Sequence, residues 1–169
     1  MRFSFTPVLA VALLLTGCAG YHVGPVKPYF MHDVTTIAVP IFKNDTLNPR
    51  IETLVTNTII KQIQQDGTYR IASADTADAI IDGNILELQR RSARSVRGEV
   101  LATKEFSLTV VLRYTIKRRS TGESLRERTV RGGTSFFVSG DLQQDERQAI
   151  PLAVEQAATQ LVSEISEGW

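Results

Sequence analysis

The sequence predicts an α+β fold: a two-layer sandwich of two amphipathic helices packed on a mostly antiparallel sheet of about four strands. Three observations carry this. In "EFSLTVVLRYTIK" the residues Phe106, Leu108, Val110, Leu112, Tyr114 and Ile116 alternate with Ser107, Thr109, Val111, Arg113, Thr115 and Lys117. Such a period of two marks a half-buried antiparallel strand. Two other stretches, near 50–66 and 150–166, repeat their apolar residues at helical spacing instead. The order is strand, helix, short strand, longer strands, helix, and helices separated this way from an antiparallel run of strands pack against its apolar face.

The chain has 169 residues, of which 43% are hydrophobic and 22% charged. That length suits one domain with a sizeable core. The first 17 residues are set apart. Arg2 is followed by an apolar run, Val8 to Leu15, and then by small residues. This is the layout of a secretory signal peptide, and the run falls well short of the roughly 20 apolar residues of a spanning helix. "LTGC" resembles the lipobox of bacterial lipoproteins, with Cys18, the sole cysteine, at the acylated position. That resemblance implies a mature chain starting at Cys18, held on a membrane by covalent acyl chains; more than one chain gives stable anchoring. Ala19, where an aspartate would retain the protein at the inner membrane, implies sorting to the outer membrane. Residues 18–33 carry Gly20, Gly24, Pro25 and Pro28 without periodicity and read as a tether.

The domain is expected over 34–169. "VTTIAVPIF" (34–42) is β-branched and apolar, a buried strand with Pro40 near its end at an edge or bulge. In "KNDTLNPR" Asn48 is a helix cap and Pro49 fits the first turn. Ile51, Leu54, Val55, Thr58, Ile59 and Ile63 then form one stripe, and Gly67 suits the left-handed residue after a helix. "TYRIAS" is a short strand. "AIIDGNILELQRR" is a long one, whose alternation shifts phase around Ile85 and Leu86, which predicts a bulge near Gly83. Gly122 marks the turn after the clearest strand. "SLRERTVRGGTSFFV" pairs back, with Gly132 and Gly133 at a bulge or a close approach. In the tail, Ile150, Val154, Ala157, Ala158, Leu161, Val162 and Ile165 make the second helical stripe. A short turn followed by a main helix from about Pro151 is expected, because proline is best tolerated in a first turn.

Signs of catalysis are weak. His22 and His32 both fall in the tether, and the lone thiol is consumed by acylation, so no Cys/His metal cluster is available. Asp75, Asp78 and Asp82 lack calcium-loop spacing and read as solvated turn residues. No serine sits in a G-x-S-x-G elbow, and no nucleophile–base–orienter set appears. The chain therefore reads as a non-enzymatic binding or structural protein, with no cofactor beyond the acyl chains on Cys18.

Charge is the feature left over. The net charge is only +1, yet residues 90–131 hold twelve Lys and Arg against four Asp and Glu. Residues 18–89 and 132–169 are both acidic. "RRSARSVRGEV" concentrates Arg90, Arg91, Arg94 and Arg97 where one strand gives way to a loop. Two readings fit. Long arginines can simply solvate and blunt a hairpin; or their guanidinium forks can bind phosphates or a partner's carboxylates. In a meander, the second basic turn, Lys117 to Arg119, lies at the opposite end of the sheet. Nothing in the balance of charge points to nucleic acid.

With these elements placed, the chain resembles the lipopolysaccharide-assembly lipoprotein family, LptE. The matching stretches are "GCAGYHV", "TIAVPIFKNDT", "ADAIIDGNI", "LRYTIKRRSTGE" and "EQAATQLVSEI", in order over nearly the whole mature chain. The resemblance implies a lipoprotein on the periplasmic side of the outer membrane. It also implies a partner, the LptD β-barrel, which such proteins plug and help to assemble, and delivery of lipopolysaccharide to the cell surface. It places Arg97 in the loop where the family carries a basic residue. Gln143 and Gln144 stand before the last helix, where no second basic site is evident. The alternative is a lipoprotein subunit of a different envelope assembly or secretion complex.

Overall fold

A computed structural model describes residues 27–94, 105–138 and 140–168, without the side chains of 93 and 94. The signal peptide, Cys18, His22 and Arg97 lie outside the described residues. Strands β1 (Thr36–Ala38) and β2 (Lys43–Asn44) precede helix α1 (Ile51–Asp66). Then come β3 (Arg70–Ile71), β4 (Ala79–Arg94), β5 (Glu105–Arg118), β6 (Ser124–Phe137) and helix α2 (Leu142–Ser166). Two helices on one sheet is the α+β arrangement the sequence predicts. Among the described residues the sheet has six strands rather than about four, in the order β3-β1-β4-β5-β6 with β2 also on β4.

It is also more mixed than expected. β4, β5 and β6 form the antiparallel meander, but β1 runs parallel to both β3 and β4, and β2 runs parallel to β4. The reason is α1, which is long enough to carry the chain from β1 back to a parallel neighbour. The strand expected over 34–42 is only Thr36–Ala38, and a second short strand, β2, forms at Lys43–Asn44 in the stretch expected to be a loop. β1 pairs with Ala79 and Ile80, and β2 pairs further along β4 with Asn84 and Ile85. Between them the chain leaves the ladder at Pro40, which has no N–H to give. Phe42 turns into the core. Its N–H donates to Thr56 Oγ1 on α1 at 3.0 Å, and its ring lies over Gly83. A Cβ on Gly83 would fall 2.1 Å from that ring. Gly83 is therefore a seat for Phe42. The bulge is three residues on, where the register shifts between Ile85 and Glu87.

Two helix starts differ from the sequence expectation. Asn48 does not cap α1. Its carbonyl accepts from Asn44 Nδ2, and its N–H donates to Thr46 Oγ1. The chain then turns through Arg50 at φ 67°, a left-handed conformation that excludes it from the helix, so α1 begins at Ile51. Pro151 does not begin α2 either. The helix starts at Leu142, where the Asp141 carboxylate accepts from the N–H groups of Gln143 and Gln144, and it runs through the proline. Pro151 is exposed, so the carbonyl it leaves without a helical partner faces the solvent side. Buried Ala149 on one side and Ala153 and Val154 on the other hold both halves to the core. Gly67, at φ 77°, ends α1 as expected, its N–H donating to the Ile63 carbonyl.

The helices cover one face of the sheet. The expected stripe of β5 is buried from Leu108 to Ile116 against Val55, Ile59, Ile63, Val154, Leu161 and Ile165. The core also takes in Met31, fully buried beside a 3-10 turn at Tyr29–Met31, so packed chain begins ahead of residue 34. Lys27 Nζ donates to the Val34 carbonyl at 2.7 Å. Asp78 is a clamp rather than a free turn residue. Its carboxylate accepts from the N–H groups of Thr35 and Thr36 and from the Thr36 hydroxyl, which fixes the start of β1.

Gly132 supplies the tightest joint. A Cβ there would lie 2.1 Å from the Ala153 carbonyl oxygen and 2.2 Å from the Ala157 nitrogen, both backbone atoms of α2. The register of β6 on β5 is continuous through Gly132 and Gly133, so the pair marks a close approach, not a bulge.

Gly132→Val is expected to destabilise the domain by at least ~2 kcal/mol in a denaturant titration, since the clashing atoms are helix backbone. Gly133→Ala, whose Cβ meets nothing nearer than 3.4 Å, is the milder control. The three hydrogen bonds hold the Asp78 carboxyl below the usual carboxylate range. Its clamp is therefore complete at neutral pH and is lost as pH falls through that lowered value. Asp78→Asn is expected to lower stability at neutral pH and to flatten its acid decline; parallel pH–stability curves for the two proteins would refute the clamp.

Candidate functional site

The bulge at Leu86 in β4 decides where Arg90 and Arg91 point. Before it, Ala79, Ile81 and Ile85 face the helices and are buried. One unpaired residue, Leu86, reverses the alternation. After it, Leu88, Arg90 and Ser92 lie opposite Val110, Leu108 and Phe106 on the helix side. Glu87, Gln89 and Arg91 lie opposite Val111, Thr109 and Ser107 on the open side. Adjacent arginines thus serve different surfaces.

Arg90 reaches under α2. Its guanidinium forms an ion pair with Glu146 and stands 5.9 Å from the centre of the Phe106 ring. It forms one wall of a cleft of about 730 Å³ between the starts of the two helices. Arg50 and Arg147, both exposed, line the same cleft, as do Gln143 and the apolar Ile51, Leu54, Ile150, Pro49 and Pro151. Helix α1 begins there without a side-chain cap, so the positive end of its dipole opens onto the cleft. Three arginines face one glutamate in this space. The arrangement can take an anionic head group on the guanidinium side and hydrocarbon on the apolar walls.

Arg91 is exposed on the open face, and its carbonyl accepts weakly from the Ser107 hydroxyl. Arg94 is the last residue of β4 and pairs with Glu105 across the ladder. Arg97 lies beyond it, outside the described residues. Among the described residues the structure therefore sends Arg90 and Arg91 to different faces, and brings Arg90 together with two partners on distant elements, Arg50 and Arg147. No sequence signal joins those three. Arg50 depends on a left-handed turn, and Arg147 on α2 starting nine residues before Pro151.

The second basic turn does lie at the other end of the sheet. Lys117 pairs with Asp82 at 2.9 Å, Arg118 approaches Asp33 at 3.8 Å, and Arg119 Nε donates to the Ala77 carbonyl. Those cations tie the turn to its surroundings. The open face between the two ends carries Arg113, Thr115 and Thr109 on β5 and Arg131 on β6. Among the described residues, no helix is long and apolar enough to cross a membrane.

The chain is similar in fold to several solved structures. One is the PelC dodecamer from Paraburkholderia phytofirmans, at 14% identity and a TM-score of 0.52, covering 79% of this chain and 87% of that one. Another is a minor lipoprotein from Acinetobacter baumannii, at 15% identity and a TM-score of 0.53, covering 79% and 93%. At such identity the likeness is one of fold alone. No curated protein matches the chain. A family model does, that of LptE, lipopolysaccharide-assembly, over residues 34–165. That span takes in all six strands, α1 and nearly all of α2, and the chain belongs to the LptE lipopolysaccharide-assembly family.

Proposed function

We propose that this protein is a non-enzymatic lipoprotein, anchored by acyl chains on Cys18 to the periplasmic side of the outer membrane. In this reading it plugs and helps assemble an LptD-type β-barrel and takes part in passing lipopolysaccharide to the cell surface. The observation that carries the reading is the family match over 34–165. Two features of the fold support it. One sheet face is mainly polar, with Gln89, Thr109, Arg113, Thr115 and Arg131 on it, which suits contact with the water-lined wall of a barrel. The cleft at Arg50, Arg90 and Arg147 combines guanidinium groups with apolar walls, the complement of a phosphorylated glycolipid. Arg94, the last residue of β4, and Arg97, three residues further along the chain, continue the basic run in the sequence. In this reading Arg91, on the open face, meets the barrel.

The test is affinity purification of the tagged full-length chain from native envelopes in mild detergent. A large β-barrel is expected to co-purify in stoichiometric amount. Recovery of the lipoprotein alone, or with an unrelated envelope complex, overturns the barrel assignment. The purified lipoprotein is then titrated with lipopolysaccharide at low salt, where charge is least screened. Arg50→Glu/Arg147→Glu and Arg94→Glu/Arg97→Glu are each expected to weaken binding about ten-fold or more with the fold intact. Unchanged binding in both variants removes the arginines from ligand contact.

A further inference from the structure

Strand β6 ends the sheet, and among the described residues no strand lies beyond it. It runs for 14 residues, long for an edge, and near its centre Gly133 is exposed with no side chain to cover the backbone. Such an edge is a template for another strand. Here its central donors are already taken by side chains. The Gly133 N–H donates to Gln156 Oε1 at 2.5 Å, and the Arg131 N–H donates to Gln160 Oε1 at 3.4 Å. Both glutamines come from α2. The spacing explains why a helix can do this. Residues four apart on a helix rise about 6.0 Å, and residues two apart on a strand are separated by about 6.8 Å, so glutamines one turn apart meet alternate amides.

The guard is oriented from the core. The buried Tyr114 hydroxyl donates to Glu164 Oε2 at 2.8 Å, and Gln160 Nε2 donates to Glu164 Oε1 at 3.4 Å. Glu164 thereby holds the amino end of the Gln160 amide and leaves its oxygen for the strand. Gly132 brings α2 close enough for both side chains to reach.

We infer that the outer edge of β6 is a strand-accepting surface held closed by Gln156 and Gln160, and that its occupant when opened is β6 of a second copy of this chain. An antiparallel register centred on Gly133 fits the residues. It sets Arg131 opposite Ser135 and Thr129 opposite Phe137, with no arginine facing another. Exposed Leu152, beside the groove that follows this edge, adds apolar surface on the same side. The glutamines satisfy the amides without offering the continuous ladder a strand would offer, so they close the edge without extending the sheet.

The full-length chain in detergent is compared with Gln156→Ala/Gln160→Ala and with Gln156→Glu, which keeps an acceptor. Hydrogen exchange at the Arg131 and Gly133 amides is expected to accelerate about ten-fold in the double variant and to stay near the parent rate in Gln156→Glu. Sedimentation is expected to show the parent as a monomer and the double variant as a concentration-dependent dimer. Unchanged exchange in the double variant, a double variant monomeric at every concentration, or a parent already paired through this edge overturns the inference. Should the double variant fail to fold, Gln156→Ala is set against Gln156→Glu by the same exchange measurement, and equal Gly133 rates overturn it.

Discussion

At Gly132 the two layers meet backbone on backbone. Gly132 lets β6 rest against the Ala153 carbonyl and the Ala157 nitrogen of α2 with no side chain between them. That sets how near the long helix lies to the sheet, and several other contacts need the distance. Tyr114 reaches Glu164, and Tyr69 places its hydroxyl 2.6 Å from the Ile165 carbonyl. Burial pushes the pKa of both phenols up, so they stay neutral donors at any physiological pH. Gln156 and Gln160 reach the edge, and Glu146 meets Arg90 at the far end. The alanines along α2, at 149, 153, 157 and 158, are the helix's half of the same arrangement: small residues where the sheet is near.

Much of this was legible in the sequence because it rests on periodicity. The alternation of β5, the stripes of both helices, the turn glycines at 67 and 122 and the phase shift at Leu86 all describe local geometry. What escaped is what depends on a distant partner. Gly83 lies near a bulge, but its reason is the Phe42 ring, 41 residues earlier in the chain. Asp78 resembles a solvated turn residue until β1 is laid beside it. Proline at 151 signals a helix start, and only burial on both sides of it lets the helix continue. The short strand β2, in a stretch that reads as a loop, follows from pairing with β4 further along its length, which composition does not encode.

The basic segment shows the same split. Its charge is plain in the sequence, and so is its place at a strand end. Its geometry is not, because the cleft takes one member of the segment and combines it with Arg50, just ahead of α1, and Arg147 on α2. The charge of Arg90 is already matched, by Glu146. The cleft's remaining positive charge is carried by Arg50 and Arg147, residues that stand outside any cluster in the chain.

The extra residue at Leu86 has a consequence for how such a surface can change over time. A strand's two faces normally see their residues in fixed alternation, so redistributing charge between them takes several substitutions. One inserted residue does it in a single event: every side chain downstream changes sides while composition and net charge stay almost as they were. Relatives that differ by one residue in this strand would carry near-identical arginine runs and yet offer them to opposite surroundings. For this fold, the parity of the count between Ile85 and Arg90 tells more about what the arginines meet than their number does.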